Sequence, residues 1–507
     1  MQTVKPIQGT AKIAPKLQLA LVTIVFFGVV LRLFNLRHPE LWADEIFSVA
    51  LAQSPFVDMV LAALRFDVHP PLYYVVLHVW GAFGTGDFWF LASSLLLDVA
   101  AGMSLWWCMR QLHGDRAGLI ALAVFAVFPL EVSFAATLRM YSLSVLILVW
   151  LWYHLERAND GTSTRKRYAW MSSLGVLATL SHGIGFILVF FLFAQAATGA
   201  FRKQQKRALL ALVLAYLPVA LAAAYPLVVG SVREAGVGLK VFSLSAIDQH
   251  LHIFLLGYSF PFIPAFGYLA LGFLVALAMT SPRALSAFLR LVALPMVGLL
   301  LLSIFVKPVF LFRTLGLLSP FLMVTVALAV DDVLNRGGWR AQCVSAMLLL
   351  LSVPSAVTYS LTDNKLGYRE VAAAWVAHAG SKAVLFTETP TDFWGMLRYD
   401  EAGPAPSALA IQPPVKDAMK SLKRKLEGSV LDGLGFFGTS DYAARNGRRV
   451  YVHTGVEIHA SDLGSEIWIL SRGNTTSCES IRLKEVRRFT EFDLALMQCG
   501  NASALLR

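Results

Sequence analysis

Residues 17–45 read LQLALVTIVFFGVVLRLFNLRHPELWADE: eighteen residues with two polar members, Gln18 and Thr23, and a single charged one, Arg32, before Asn35, then a polar turn, then a carboxylate pair. A stretch of this length and apolarity is long enough to cross a hydrocarbon core, which needs about 20 residues at 1.5 Å per residue. It carries no small-residue cleavage site and runs on to Arg32 and Asn35, so it reads as a retained first helix with its basic N-terminus in the cytoplasm. Similar runs recur, notably over 88–109 and 339–361. The whole chain follows suit, with 57% apolar and only 15% charged residues among 507, against roughly 25% charged in an ordinary soluble domain. Its mean hydropathy is +0.63. The fold class is therefore a polytopic α-helical membrane protein. Four cysteines in 507 residues exclude a disulfide scaffold.

The net charge of +11 sits in short clusters between apolar runs: Arg110 to Arg116, Arg165 to Arg167, Arg202 to Arg207, Arg283 to Arg290, and Arg336 to Arg340. Clusters so placed mark cytoplasmic loops, and no basic, aromatic-interleaved surface lies outside them, so no nucleic-acid partner is expected. Holding these loops on one side threads spans over about 17–36, 88–110, 117–135, 140–156, 169–181, 184–200, 208–229, 262–280, 291–306, 314–334 and 340–361. That is about eleven transmembrane helices, an odd number that leaves the C-terminus outside. The segment 70–84 is too short to span, and its Tyr and Trp content suits an interfacial helix in the first outer loop, 37–87.

From Thr362 the composition changes. Charged residues return, 383–386, 449–452 and 466–470 read as short buried strands, and 368–378 as a helix. Two domains are expected, 1–361 in the membrane and 362–507 as a soluble extracytoplasmic α/β domain. Cys478 and Cys499 fall in the latter, where an oxidising compartment would permit a disulfide.

The first outer loop opens with Asp44 and Glu45 and closes with Asp67, His69, Pro70 and Pro71. The other outer turns of this threading carry Arg139 and Tyr141, then His182, then Lys307 and Arg313. Ionisable groups at membrane depth are costly and tend to mark a site. A carboxylate pair opposed by several cations suits a base and an anionic, lipid-borne ligand. Each residue alone has a plainer reading, as a helix-end charge, a snorkelling anchor or a turn residue. Walker, CxxC, HExxH and Gly-x-Ser-x-Gly patterns are absent, which disfavours ATP-driven transport, zinc hydrolysis and serine esterase chemistry.

Taken in order, Trp42-Ala43-Asp44-Glu45, His69-Pro70-Pro71-Leu72-Tyr73-Tyr74, Arg139-Met140-Tyr141, Ser181-His182-Gly183 and Phe312-Arg313 before Pro320 resemble the GT-C glycosyltransferases that use polyprenyl-phosphate sugars. The resemblance, over about residues 15–330, is to the glycosyltransferase family 39 type, whose nearest branch includes protein O-mannosyltransferases and the lipid A aminoarabinose transferase of bacteria. It implies an active site at the outer membrane face, with Asp44 as catalytic base and Glu45 beside it. His69, Arg139, Tyr141, His182, Lys307 and Arg313 are then expected to hold donor phosphate or sugar. The implied partners are a polyprenyl-phosphate-linked sugar donor, a lipid, glycan or protein acceptor, and membrane lipids. One departure stands out: Thr137 occupies the place where relatives carry an acid. That weakens a metal site built from two loops, although hard carboxylates at Asp44 and Glu45 would suit Mg²⁺ or Mn²⁺. The bacterial inner membrane is the expected location, the resemblance being closer to bacterial members.

Two rivals remain at this level. A transporter or flippase of a lipid-linked substrate would use the same charges as a path, but would place charges or broken helices near mid-membrane. A binding protein working through 362–507 would have no need of so many spans.

Overall fold

The computed structural model describes residues 14–67, 69–158, 164–233, 243–306, 309–337, 352–361 and 367–378, with the shorter segments 384–387, 395–396, 398–399, 442–445, 448–452, 466–472, 485–488 and 494–501. By contacts the chain falls into two compact units. The first comprises Met1–His38, Phe66–Tyr73 and Leu91–Asp363, and the second Pro39–Arg65, Tyr74–Phe90 and Asn364–Arg507. The boundary expected at 361/362 is thus joined by an exchange within the first outer loop, most of which groups with the C-terminal residues.

The first unit is helical. Its helices are α1 (Pro15–Asn35), α5 (Asp87–His113, from Leu91), α6 (Asp115–Val127), α7 (Pro129–Ala135), α8 (Tyr141–Glu156), α9 (Arg165–Ser181), α10 (Gly185–Arg202) and α11 (Lys206–Arg233). They continue with α12 (Leu244–Leu256), α13 (Phe266–Met279), α14 (Pro282–Ala287), α15 (Leu294–Phe305), α16 (Phe312–Leu315), α17 (Ser319–Arg336) and a helix α18 over 352–361. Among the described residues six helices are long and apolar enough to cross a membrane, and seven if the bent pair α6–α7 counts as one. The described helices alone do not reach the expected eleven. Tyr141–Glu156 and Phe266–Met279 are apolar but shorter, and residues 338–351, most of the last expected span, lie outside the described residues. The straight span expected over 117–135 is bent by 67° between α6 and α7, because Pro129 lacks the amide hydrogen that would continue the helix. Helix α12 was not foreseen.

The surface of these helices identifies their solvent. On α11, Leu210, Val213, Leu214, Leu217 and Leu221 are all exposed at helical spacing, a continuous apolar stripe that water would penalise and lipid accepts. The chain is a multi-pass membrane protein. The segment Phe312–Arg336 lies at the centre, with 89% of its most apolar window buried, against 17% for Pro15–Asn35.

Charge inside this unit is paired. Arg32, 2% exposed, donates from Nε to Asp98 Oδ2 at 2.5 Å, and from its terminal nitrogens to the carbonyls of Gly28, Ala126 and Phe125. Gly28 permits the approach, since a Cβ there would meet that of Ala126 at 3.0 Å. Asp98 faces Glu131 within hydrogen-bond reach, and Ser319 Oγ donates to Glu131 Oε1. Asp98 Oδ1 and Glu131 Oε2 are buried in the same network. The network joins α1, α5, α7 and α17. At one end of the helices Asp331 takes Arg116 (2.6 Å) and Arg283 (3.2 Å), and Asp332 takes Ser281 and Arg283. Three of the basic clusters used to thread the chain meet at or beside this acidic pair.

The second unit holds α2 (Ala43–Gln53), α3 (Phe56–Phe66, to Arg65), α4 (Leu72–Gly81, from Tyr74), α19 (Tyr368–His378) and six strands. Helix α4 has ten residues, about 15 Å long and too short to cross, as expected for 70–84. Trp80 and Trp89 stack at 4.6 Å and exchange indole-to-carbonyl hydrogen bonds. The strands are β1 (Val384–Thr387), β2 (Tyr442–Arg445), β3 (Arg448–Val452), β4 (Glu466–Arg472), β5 (Glu485–Arg488) and β6 (Leu494–Asn501), in the order β2-β3-β1-β4-β6-β5. The centre β3-β1-β4 is parallel and the flanking pairs antiparallel. Three of the strands and α19 match segments expected from the pattern. Cys478 lies outside the described residues, so the expected pairing with Cys499 does too.

Replacing Asp98 with Ala strands Arg32 as an uncompensated buried cation and should cost about 3–5 kcal/mol. Glu131→Gln keeps a donor towards Asp98 and should cost only about 1 kcal/mol. Thermal unfolding in detergent of the two variants checks the order, and equal losses would contradict the network.

Candidate active site

Four of the residues singled out in the sequence meet in the first unit. Arg139 lies in the turn between α7 and α8, where its amide donates to Thr137 O at 2.8 Å and Thr137 Oγ1 donates to Ser133 O at 2.8 Å. Thr137, which stands where an acid was expected, thus serves the turn. Tyr141 opens α8, with its ring stacked on Phe134 at 4.5 Å and 6.0 Å from the ring of His182. His182 ends α9, and His69 stands 5.3 Å away from it, ring to ring. A hydroxyl pair ties the two turns, Ser144 to Ser181 at 2.9 Å. Two sequence motifs some forty residues apart therefore form one rigid wall.

Arg139 brings a guanidinium to that wall beside a neutral imidazole. His182 is 3% exposed; burial, then the neighbouring His69 and Arg139, hold it well below the usual imidazole range. Its Nδ1 accepts from the Ile184 amide at 3.2 Å, so the proton of the neutral ring sits on Nε2. His182 is thereby a hydrogen-bond donor without charge beside a buried guanidinium.

Arg313 lies in a second cluster of the same unit. The turn before it is fixed by Ser303 Oγ, which accepts from the amides of Val309 (2.9 Å) and Phe310 (2.6 Å), and by Thr314 Oγ1, which accepts from Leu311 (3.1 Å). The guanidinium interacts electrostatically with the phenol of Tyr258. Burial pushes that phenol upward and Arg313 partly offsets the rise, so Tyr258 stays protonated. Tyr258 packs edge-on to Phe312 at 5.2 Å and faces Tyr359 at 6.2 Å, and Tyr359 Oη accepts from Ser133 at 3.0 Å. Tyr141 also interacts electrostatically with Tyr258, which links the Arg313 cluster to the Arg139 wall. Gly257, at φ 85°, makes the turn into Tyr258; a Cβ there would lie 2.5 Å from Pro129. Sequence reading missed Tyr258 and Tyr359. The Gly-Tyr pair after an amphipathic helix was the available signal for the first.

Asp44 and Glu45 belong to the second unit, in the first turn of α2. Glu45, fully buried, accepts the Trp42 amide at 2.9 Å in a capping box. Asp44 is half-buried and its carbonyl accepts from Ser48 Oγ at 2.8 Å. Lys307 lies outside the described residues. Among the described residues no three His, Cys, Asp or Glu side chains converge on a metal position, and Glu45 is already spent on the cap.

No protein-family model matches the chain, and no curated protein sequence does. Solved structures are similar. ArnT from Cupriavidus metallidurans in the apo state aligns over 96% of this chain and 98% of its own, at 12% identity and a TM-score of 0.56. The same protein bound to undecaprenyl phosphate aligns over the same shares at 11% identity and a TM-score of 0.54. The Archaeoglobus fulgidus oligosaccharyltransferase, in complex with Zn and sulfate, aligns over 78% of this chain at 14% identity and a TM-score of 0.43, and the chain spans 59% of that enzyme's length. The fold is that of ArnT, the GT-C fold which the order of motifs led one to expect.

A histidine held below its unfolded pKa binds its proton in the unfolded state first, so its contribution to stability is present above about pH 6.5 and is lost as pH falls. The wild type should lose thermal stability on going from pH 7.5 to 5.5, and His182→Gln should flatten part of that slope. An unchanged slope in the variant would show that His182 is not the titrating group.

Proposed function

We propose that the chain is a GT-C glycosyltransferase that moves a sugar, hexosyl or pentosyl, from a polyprenyl-phosphate-linked donor to a lipid, glycan or protein acceptor. The observation that carries this reading is the fold shared nearly end to end with ArnT, a protein solved with undecaprenyl phosphate bound. The wall of Arg139, His69 and the neutral His182, linked to Arg313 through tyrosines, supports it, since guanidinium and imidazole N–H donors suit a lipid phosphate. The reaction belongs at the extracytoplasmic face of a bacterial inner membrane, in a protein of about eleven spans with the 362–507 region as its outer α/β domain.

The chemistry follows from the residue types. The acceptor hydroxyl attacks the anomeric carbon, the bond from that carbon to the phosphate oxygen breaks on the opposite face, and the configuration inverts. The electron pair goes to the phosphate and the hydroxyl proton to the carboxylate of Asp44, the general base. Glu45 acts differently: its carboxylate is engaged in the cap and stiffens the turn that carries Asp44. Charge on the leaving phosphate grows as the bond breaks, so the guanidiniums of Arg139 and Arg313 hold the transition state more strongly than the bound donor. His182 adds a hydrogen bond from Nε2. Tyr258 and Tyr359 offer ring faces and hydroxyls suited to a sugar.

Transfer of labelled sugar from a panel of polyprenyl-phosphate donors, by purified protein with native lipid extract, tests the reading. Asp44→Asn should lower the rate by about 10²–10⁴-fold with donor binding retained. Arg313→Gln should lower it by about 10²-fold, the cost of removing one preorganised donor to developing charge. If folded wild type binds donor and moves no label, but carries it across proteoliposomes, the transporter reading replaces this one.

A further inference from the structure

The second unit contains a polar hub that neither the motifs nor the transfer chemistry calls for. Asp87, the first residue of α5, is nearly buried, and its carboxylate gathers three donors from the C-terminal part of the chain. Arg398 reaches Oδ1 at 2.6 Å; Arg369 (3.2 Å) and the Tyr399 hydroxyl (2.8 Å) reach Oδ2. Two of these groups, Arg369 and Tyr399, also turn back on the residues just before Asp44. Arg369 also donates to the carbonyl of Pro39 at 3.1 Å, and its amide donates to Glu40 Oε1 at 3.2 Å. Its guanidinium lies 4.9 Å over the Tyr399 ring. The amide of Leu41, a residue with no exposure, donates to Tyr399 Oη at 2.6 Å.

We infer that Tyr399, held by Asp87 and flanked by Arg369 and Arg398, is a positioning residue that fixes the backbone of residues 39–41 and so sets the Asp44 carboxylate for proton transfer. This rests on the proposed role of Asp44 as base. The chain from hub to base is short and stiff. Tyr399 pins the amide of Leu41, Glu45 pins the amide of Trp42, and α2 begins at Ala43, so Asp44 sits on the first turn of a helix whose entry is held at successive residues. Burial, and then the Asp87 charge, push the Tyr399 phenol upward. It therefore keeps its proton and can donate to Asp87 while accepting from Leu41. Misplacement of a reacting group by about 1 Å costs on the order of 10²-fold in rate, which gives such a hub leverage without contact to substrate. Residues of the 362–507 region would then act on the transfer rate itself, beyond any role in docking the acceptor.

The decisive variant is Tyr399→Phe, which removes the hydroxyl and keeps the ring. Turnover should fall about 10–100-fold while the donor KM stays within about twofold. In an Asp44→Asn background the same change should cause no further loss, because Tyr399 acts through Asp44. General damage to the fold would instead multiply onto the residual rate, and that result, or unchanged turnover in the single variant, overturns the inference. Asp87→Asn, which keeps the shape and drops the charge, should move turnover in the same direction and serves if Tyr399→Phe folds poorly. Hydrogen exchange separates this inference from the reading it rests on. The Leu41 and Trp42 amides should exchange at least about tenfold faster in Tyr399→Phe whatever Asp44 does; unchanged exchange overturns the hub. An Asp44→Asn enzyme with full activity overturns the base alone.

Discussion

Arg32 is the charge around which the helical unit is organised. A guanidinium with 2% exposure among membrane helices is tolerable only if every donor is used and its charge is balanced. That requirement brings α5 to it through Asp98, brings the carbonyls of α6 through Phe125 and Ala126, and recruits Glu131 and Ser319 behind Asp98. The break at Pro129 serves the same network, since Glu131 lies in the short helix that follows it. With α7 and α17 held, the turns that carry Arg139 and Arg313 are held as well.

The candidate site repeats the principle with the opposite outcome. Around Arg139 and His182 the structure gathers positive and potentially positive groups and leaves the histidine neutral. Around Arg313 lie the ring of Phe312 and the phenol of Tyr258. The first cluster thus carries charge and imidazoles, and the second is largely aromatic.

In the second unit the balance is tipped towards geometry. Asp44 and Glu45 are adjacent in sequence and look interchangeable, yet one carboxylate closes a helix cap and the other remains half-buried at the helix surface. The difference comes from position in the first turn, since the N3 residue reaches back to the cap amide and the N2 residue does not.

Much of this was legible in the sequence. Apolar runs marked α1, α5, α10 and α11 to within a few residues, because a lipid solvent imposes length and composition on each helix separately. The order of motifs singled out Arg139, Tyr141 and His182, which the structure does bring together, because helix ends are where polar groups are tolerated. Short strands such as β1, β3 and β4 showed as isolated apolar runs. Only the tertiary structure decided the pairings. Arg32 finds Asp98 at 66 residues' separation, Tyr359 finds Ser133 at 226, and Tyr399 finds Asp87 at 312. Periodicity records how a segment contrasts with its own surroundings. Which buried charge or hydroxyl answers another depends on how the helices pack, and no local pattern carries that information.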